Sequence, residues 1–188
     1  MAVKQFTAIF VCGLNLDRKR ANFRFMPEII STSFNKLDIQ DPFFDSLKSM
    51  YRGFDDWFSK KAEYEEPCEV VYGDDGKLKA MLYTKVEGLG EDYSKMEKPF
   101  APSFRLKIGT LKSDLRGEGI GRKFLETSIE KARQNPSIKA VYATIFADKP
   151  ELSGLVKMFE SHGFSRRCMY CTGETVFEYP ITWWRTGI

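Results

Sequence analysis

The chain has 188 residues, a hydrophobic fraction of 43% and a formal net charge of +3 at pH 7. This length suits one domain with a full core, and so small a charge argues against nucleic-acid binding. No apolar stretch reaches the ~18 residues of a membrane span, and no signal-peptide pattern is present before residue 14. We therefore expect a cytoplasmic protein whose four cysteines are reduced.

The first 40 residues hold few clear patterns. Gln5–Cys12 is rich in β-branched and aromatic residues, which predicts a first strand. The run Arg18-Lys19-Arg20 predicts a solvated loop. Residues 22–38 predict an irregular segment with a short helix after Pro27.

Two consecutive amphipathic helices are predicted for residues 41–62. Asp41 and Pro42 form a typical helix start, with aspartate as N-cap and proline in the first turn. Apolar residues then recur at helical spacing on both sides of Gly53, which interrupts the pattern. These apolar stripes are expected to face the core.

A β-hairpin is predicted next. Residues 69–72 and 78–86 read as strands, and Gly73-Asp74-Asp75-Gly76 reads as the turn between them. Residues 88–103, with two glycines and two prolines, predict a loop.

The most informative stretch is a glycine-rich turn between a strand and a helix. Residues 104–110 alternate apolar and polar side chains, which predicts a strand. After the turn, apolar residues recur at helical spacing from Phe124 until Asn135-Pro136 ends the helix. Such a turn presents free backbone N–H groups and the positive end of a helix dipole, and a pyrophosphate fits that field.

The spacing of the glycines excludes two common phosphate-binding loops. A P-loop needs a lysine and a hydroxyl residue after its last glycine, but Gly121 is followed by Arg122 and Lys123. The dinucleotide-binding pattern fails in both possible registers for lack of a third glycine. The pattern that fits is Arg116-x-x-Gly119-x-Gly121.

This pattern, followed by a strand at Ala140–Phe146 and a helix that closes with Gly163-Phe164, resembles the GNAT superfamily of acetyl-CoA-dependent N-acetyltransferases. The resemblance implies an α/β (α+β) fold with a mixed, mostly antiparallel sheet of six to seven strands and helices on both faces. Two short strands, at 165–170 and 175–179, would close the sheet. One domain would span residues 1–188, with its cofactor core at 104–164 and acceptor-side helices at 41–62.

The resemblance also implies acetyl-CoA as cosubstrate and a set of cofactor-binding residues. The backbone at Leu111 would pair with the pantetheine arm and polarise the thioester carbonyl, and the loop would hold the pyrophosphate. The implied cofactor-binding residues are Leu111, Lys112, Ser113, Arg116, Gly117, Glu118, Gly119, Ile120, Gly121 and Arg122.

The catalytic acid and base are not assigned by the sequence. Many family members have a tyrosine four residues before the Gly-Phe pair, but Phe159 stands there and cannot donate a proton. The candidate substitutes for the acid are Tyr142, Ser161, His162 and water. The candidate bases are Glu87 and Asp148, or a water relay.

No metal site is expected. Cys168 and Cys171 form a C-x-x-C pair, but zinc needs two further ligands and no second pair is present. We interpret the pair as thiols in a hairpin. Trp183 and Trp184 form an aromatic tail that packs on the domain or, alternatively, forms a dimer contact.

The sequence leaves three functions open. The first is acetyl transfer from acetyl-CoA to a primary amine of an unidentified acceptor. The second is a CoA-binding regulatory or interaction module without turnover, which the missing tyrosine favours. The third is a GNAT-type toxin that acetylates aminoacyl-tRNA.

Overall fold

The computed structural model describes residues 27–182 of the chain. The predicted strand at Gln5–Cys12, the basic run at 18–20 and the two tryptophans of the tail lie outside the described residues. Within residues 27–182, the order of strands and helices agrees closely with the predicted order, with one exception before residue 40.

Within residues 27–182, seven strands form one mixed sheet in the order β1-β2-β3-β4-β5-β7-β6. They are β1 (Ile30–Ser33), β2 (Pro67–Tyr72), β3 (Leu78–Glu87), β4 (Phe104–Ser113), β5 (Ile138–Ile145), β6 (Ser165–Met169) and β7 (Thr175–Pro180). β4 and β5 are parallel, whereas the pairs β1–β2, β2–β3, β5–β7 and β6–β7 are antiparallel. This confirms the predicted mixed, mostly antiparallel sheet.

The described part of the chain also contains four α-helices: α1 (Asp45–Met50), α2 (Phe54–Glu63), α3 (Ile120–Arg133) and α4 (Ser153–Ser161). The predicted helix start is confirmed, because the Asp41 side chain accepts a hydrogen bond from the Phe43 amide at 2.8 Å. A 3₁₀ turn at Pro42–Phe44 precedes α1, and Gly53 is the N-cap residue of α2. In the described part of the chain no helix is both long and apolar enough to cross a membrane.

The prediction for residues 22–38 was wrong where the structure describes them. The segment after Pro27 forms strand β1, followed by a 3₁₀ turn at Phe34–Lys36, rather than a short helix. β1 pairs with β2 in antiparallel register, from Ile30 opposite Val70 to Ser33 opposite Pro67. An edge strand this short carries too little periodicity to be distinguished from a loop by sequence.

The described chain divides into two compact units. The first comprises the residues up to Tyr83 together with Thr110–Gly121, and the second comprises Thr84–Gly109 together with the residues from Arg122 onward. The prediction of one domain over 1–188, with the cofactor core and acceptor-side helices described above, stays a prediction.

An aromatic core stabilises the first unit. The fully buried ring of Phe34 contacts Trp57, Phe58 and Tyr83 edge-on, at centroid distances of 5.5, 5.2 and 5.2 Å. Edge-to-face pairs of this kind add to the free energy gained by burial alone. The apolar faces predicted for residues 41–62 therefore do face a core.

The second unit is built around β5, which is buried along most of its length. Its register with β4 runs from Phe104 opposite Ile138 to Lys107 opposite Tyr142. On its other side β5 pairs with β7, from Ala140 opposite Pro180 to Ile145 opposite Thr175. Because β5 pairs with a strand on each side and is buried, water is excluded from the polar side chains that it carries.

Candidate active site

The glycine-rich segment starts where β4 ends. β4 extends to Ser113, beyond the predicted end at Thr110, so Leu111, Lys112 and Ser113 belong to the strand and are almost fully buried. The Ser113 hydroxyl oxygen accepts a hydrogen bond from the Leu115 amide at 3.2 Å, and the Asp114 amide donates to the Lys79 carbonyl at 2.8 Å. These contacts fix the direction in which the chain leaves the sheet.

Two glycines give the loop its conformation. Gly117 and Gly119 have φ angles of 70° and 77°, a left-handed backbone that glycine adopts without strain. A Cβ atom added at either position would meet no other atom within 4 Å. The backbone at both glycines therefore borders open space that a ligand could approach closely.

The loop leads directly into the N-terminus of α3. Ile120 and Gly121 are buried in the first turn, whereas Arg122 and Lys123 are exposed. No acidic residue lies in this first turn, so the positive end of the helix dipole is not neutralised there. The helix start offers free amide groups in a positive field, which suits an anion.

The side chain of Arg116 is a second observation that indicates an anion site. Its Nη2 atom is buried and has no hydrogen-bond partner among the described residues. A buried guanidinium nitrogen without an acceptor is costly, and an anionic oxygen would satisfy it. The residues present thus fit the pyrophosphate of acetyl-CoA.

Lys112 does not contribute its charge to the loop. Its ammonium donates hydrogen bonds to the Phe43 carbonyl and, at 2.8 Å, to the Ser46 hydroxyl, and it lies 4.2 Å from the centre of the Phe43 ring. Asp114 is 3.6 Å away. Burial lowers the pKa of Lys112 and raises the pKa of Asp114. The lysine thereby ties the end of β4 to the start of α1.

A network of buried polar side chains lies in the second unit. The Glu87 carboxylate, 1% exposed, accepts hydrogen bonds from the hydroxyls of Tyr142 at 2.5 Å and Tyr93 at 3.1 Å. The Lys107 ammonium, on β4, is 4.0 Å from the other carboxylate oxygen. Burial, followed by the nearby Glu87 charge, raises the pKa of both tyrosines. Two residues proposed separately from the sequence, Glu87 and Tyr142, are thus brought into direct contact.

A second buried carboxylate belongs to the turn that joins β6 and β7. Glu174, 6% exposed, accepts hydrogen bonds from the hydroxyls of Thr144 at 3.1 Å and Thr172 at 2.5 Å. Its charge, after burial and Cys171, helps to raise the pKa of Tyr170 to about 12. It also acts electrostatically on Lys107, whose pKa burial lowers.

Comparison with solved structures identifies the fold. NAA60 from Arabidopsis thaliana in complex with acetyl-CoA is 14% identical to this chain, with a TM-score of 0.54 over 82% of this chain and 100% of its own. A bacterial toxin is 12% identical, with a TM-score of 0.56 over 82% of this chain and 91% of its own. The GNAT-like decarboxylase GphF in complex with isobutyryl-CoA is 15% identical, with a TM-score of 0.52 over 81% of this chain and 98% of its own.

The chain has the GNAT fold. At these identities the likeness establishes the architecture and not the reaction. No protein-family model matches the sequence, and no curated protein matches it.

The position of the tyrosine that many GNAT proteins use as an acid is part of the core. Phe159 is fully buried, and its ring lies 4.8 Å from that of Phe164 and 6.0 Å from that of Phe177. Phe159 therefore contributes packing to this GNAT fold and no proton donor.

The other acid and base candidates are not assembled into a site. His162 is the C-cap residue of α4, and its Nδ1 atom lies 2.7 Å from the Met158 carbonyl. The neighbouring Ser161 hydroxyl donates to that same carbonyl, at 2.9 Å. Asp148 is exposed in the turn after β5. These contacts suit a helix end more than a proton-transfer group.

The cysteine pair behaves as the hairpin thiols that we predicted. Cys168 is buried in β6 and Cys171 is exposed in the turn after it, and both are free. Within residues 27–182, no three His, Cys, Asp or Glu side chains are grouped so that they could hold a metal ion.

Sequence reasoning missed Glu174, Tyr93 and the role of Lys107. The alternation in residues 104–110 made Lys107 look like a residue of an exposed strand face, but β4 is buried on both faces. Glu174 lies 30 positions from Thr144, so no local pattern links them.

Proposed function

We propose that the chain is an N-acetyltransferase that moves an acetyl group from acetyl-CoA to a primary amine of an acceptor still to be identified. The observation that supports it most is the buried, unpartnered Arg116 Nη2 atom beside the left-handed glycines of the loop. The thioester of acetyl-CoA would supply the activated acetyl group. Free cysteines and this cosubstrate both suit the cytoplasm, to which we extend the proposal.

The proposed roles follow the parts of the loop. Backbone amides of residues 117–121 would bind the pyrophosphate, with Arg116 pairing with one of its oxygens and Arg122 adding positive charge. The Leu111 backbone would hold the pantetheine arm near the thioester. The remaining residues of the implied set would act through their backbone, because their side chains contact other partners or carry no positive charge. They are Leu111, Lys112, Ser113, Glu118 and Ile120.

The test compares two glycines with the same backbone geometry. Gly119 and Gly76 both have left-handed φ angles, 77° and 70°, and open space where a Cβ would lie, but Gly76 belongs to the turn between β2 and β3. Gly119→Asp should abolish acetyl-CoA binding in calorimetry, since it places a negative charge where the pyrophosphate lies. Gly76→Asp should bind as the wild type does, with a similar loss of stability.

Thermal melting gives an independent measure of binding. Saturation at a hundred times Kd should stabilise the wild type by about 2.7 kcal/mol. A wild type without any shift in millimolar acetyl-CoA, or a Gly119→Asp variant that binds normally, would refute the proposed cofactor.

A CoA-binding module without turnover is the second candidate, because Phe159 is buried where family members have their acid. Turnover separates the two, measured as free thiol released with spermidine, an α-amine peptide and a blocked lysine. Inhibition of in-vitro translation would instead indicate the toxin activity on aminoacyl-tRNA.

A further inference from the structure

We propose that the aromatic tail at residues 183–188 docks on the chain's own helix α3, in a groove between that helix and Tyr179 of β7. Such docking is independent of the proposed acetyl transfer. It selects one of the two roles that the sequence left open for Trp183 and Trp184, packing on the domain rather than a dimer contact. The tail and the groove both belong to the second unit.

The groove has the surface that an aromatic side chain needs. Its volume is about 460 Å³, and it is lined by side chains of α3 from Lys123 to Arg133, with Tyr179 as its border on β7. Ile129 and the Tyr179 ring supply apolar surface, and half-buried Lys131 adds its methylene stem. A groove of this composition accommodates a flat aromatic ring.

The chain leaves β7 beside this groove. Tyr179, whose hydroxyl accepts a hydrogen bond from Arg133 Nη2 at 2.9 Å, is four residues before Trp183. The Ile181 amide donates to the Lys139 carbonyl at 2.8 Å, which extends the pairing with β5 beyond the end of β7. The last described residues are therefore anchored close to the C-terminal end of α3.

The alternation of side chains along β7 favours the same face for the tail. The ring of Phe177 lies 6.0 Å from that of Phe159 on α4, Tyr179 contacts α3, and Ile181 is buried. These positions are two residues apart, so their side chains point to the helix-bearing face of the sheet. Trp183 is the next position of the series.

The tail is long enough to follow the groove. Its six residues span up to ~20 Å when extended. The rise of α3 between Lys123 and Arg133 is ~15 Å. A single reversal of the chain after Thr182 would direct the tail back along the helix, with the two indole rings at its C-terminal half.

The charges of the tail and the groove are complementary. Arg185 follows the two tryptophans, and the carboxylates of Glu126 and Glu130, exposed one turn apart on α3, line the groove. The ion pair of Glu126 with Lys123, at 4.0 Å, is between exposed groups and therefore weak. The Arg133 guanidinium can contact an indole ring, the aromatic group that attracts cations most strongly.

Tryptophan fluorescence tests the docking in the full chain. Trp57→Phe leaves Trp183 and Trp184 as the only indole groups. Their emission should lie at shorter wavelength than in the urea-unfolded chain, and acrylamide should quench it several-fold less, because docked rings are shielded from water. Glu130→Lys places an ammonium opposite Arg185 and should raise the quenching toward the unfolded value.

A matched control separates the groove from a general effect of charge. Glu63→Lys makes the same change at an exposed carboxylate of α2, in the first unit, and should leave the quenching unchanged. An equal effect of the two substitutions would overturn the docking. Tail indoles that are quenched as strongly as in the unfolded chain would overturn it as well.

Hydrogen exchange gives a second readout, in a chain that keeps Trp57. The double variant Trp183→Ala/Trp184→Ala should speed amide exchange at residues 130–134 several-fold, because it removes the cover of that helix end, and should leave α4 unchanged. Equal exchange in the variant and the wild type would contradict the proposal. Protection that grows with protein concentration, together with a dimer in sedimentation velocity, would assign the tail to a second copy and overturn docking within one chain.

Discussion

Two buried lysines on the same strand have opposite surroundings. Lys107 belongs to the second unit and faces carboxylates, with Glu87 at 4.0 Å and the charge of Glu174 nearby. Lys112 belongs to the first unit and donates to a carbonyl and a hydroxyl, and the carboxylate with which it forms an ion pair, Asp114, is exposed. One ammonium therefore balances buried charge, while the other connects backbone segments. Burial alone therefore does not define the role of a charged residue.

The largest expected effect comes from the same substitution at both lysines. Lys107→Met should lower the free energy of unfolding by about 3 kcal/mol, the lower end of the usual cost of breaking a buried ion pair. It removes the buried counter-charge of Glu87 and leaves that carboxylate only the half-buried Lys85 ammonium, at 3.9 Å. Lys112→Met should lower the free energy of unfolding by only ~1–3 kcal/mol, the penalty for unsatisfied hydrogen-bonding groups, because Asp114 remains hydrated. Urea unfolding at pH 7 measures both. An equal or smaller loss for Lys107→Met would mean that Lys107 is uncharged in the folded protein.

The pH dependence of stability tests the charges directly. Burial lowers the pKa of Lys107 and of Lys112, so the unfolded chain binds more protons than the folded one below the ordinary value of about 10.4. The stability of the wild type relative to either methionine variant should therefore rise as the pH increases toward that value. The slope cannot exceed about 1.4 kcal/mol per pH unit for one proton. A flat or falling difference between pH 7 and pH 10 would contradict the lowered pKa values.

The smallest expected effect on stability concerns the start of the helical segment to which the Lys112 ammonium donates hydrogen bonds. Asp41→Ala should cost ~1 kcal/mol, because it removes the cap bonded to the Phe43 amide. Asp38→Ala is a suitable control, since the Asp38 side chain binds the Gln40 amide in an exposed turn and starts no helix. Combined with Lys112→Met, Asp41→Ala should give a non-additive loss of stability. Strict additivity would show that the lysine and the cap do not depend on each other.

The fold and the loop could be predicted from sequence because their signals are local. Strand alternation, helical spacing and the glycines from Gly117 to Gly121 each act over a few residues, and most strands, α3 and the left-handed glycines follow from them. The mixed sheet was implied by the resemblance to the GNAT superfamily. β1 was missed because it is short and lies at an edge. The Glu87 and Glu174 networks could not be predicted, because their members meet only after β3, β5 and the β6–β7 turn have come together.

The cofactor assignment of residues 111–113 and 116–122 remains a prediction, although the geometry of the loop suits it. The sequence indicated which residues would be present there. It could not indicate that the Lys112 side chain is directed to Phe43 and Ser46, because this depends on which face of β4 meets α1.

The left-handed backbone of Gly117 and Gly119 has a consequence for how this chain can diverge. A loop that offers main-chain amides to a ligand requires almost nothing of the side chains around it, so most of its positions are free to drift over generations. Few identical residues then remain for a sequence comparison to match, although the backbone conformation persists. Such a loop is compatible with the identities of only 12–15% between this chain and proteins of the same fold.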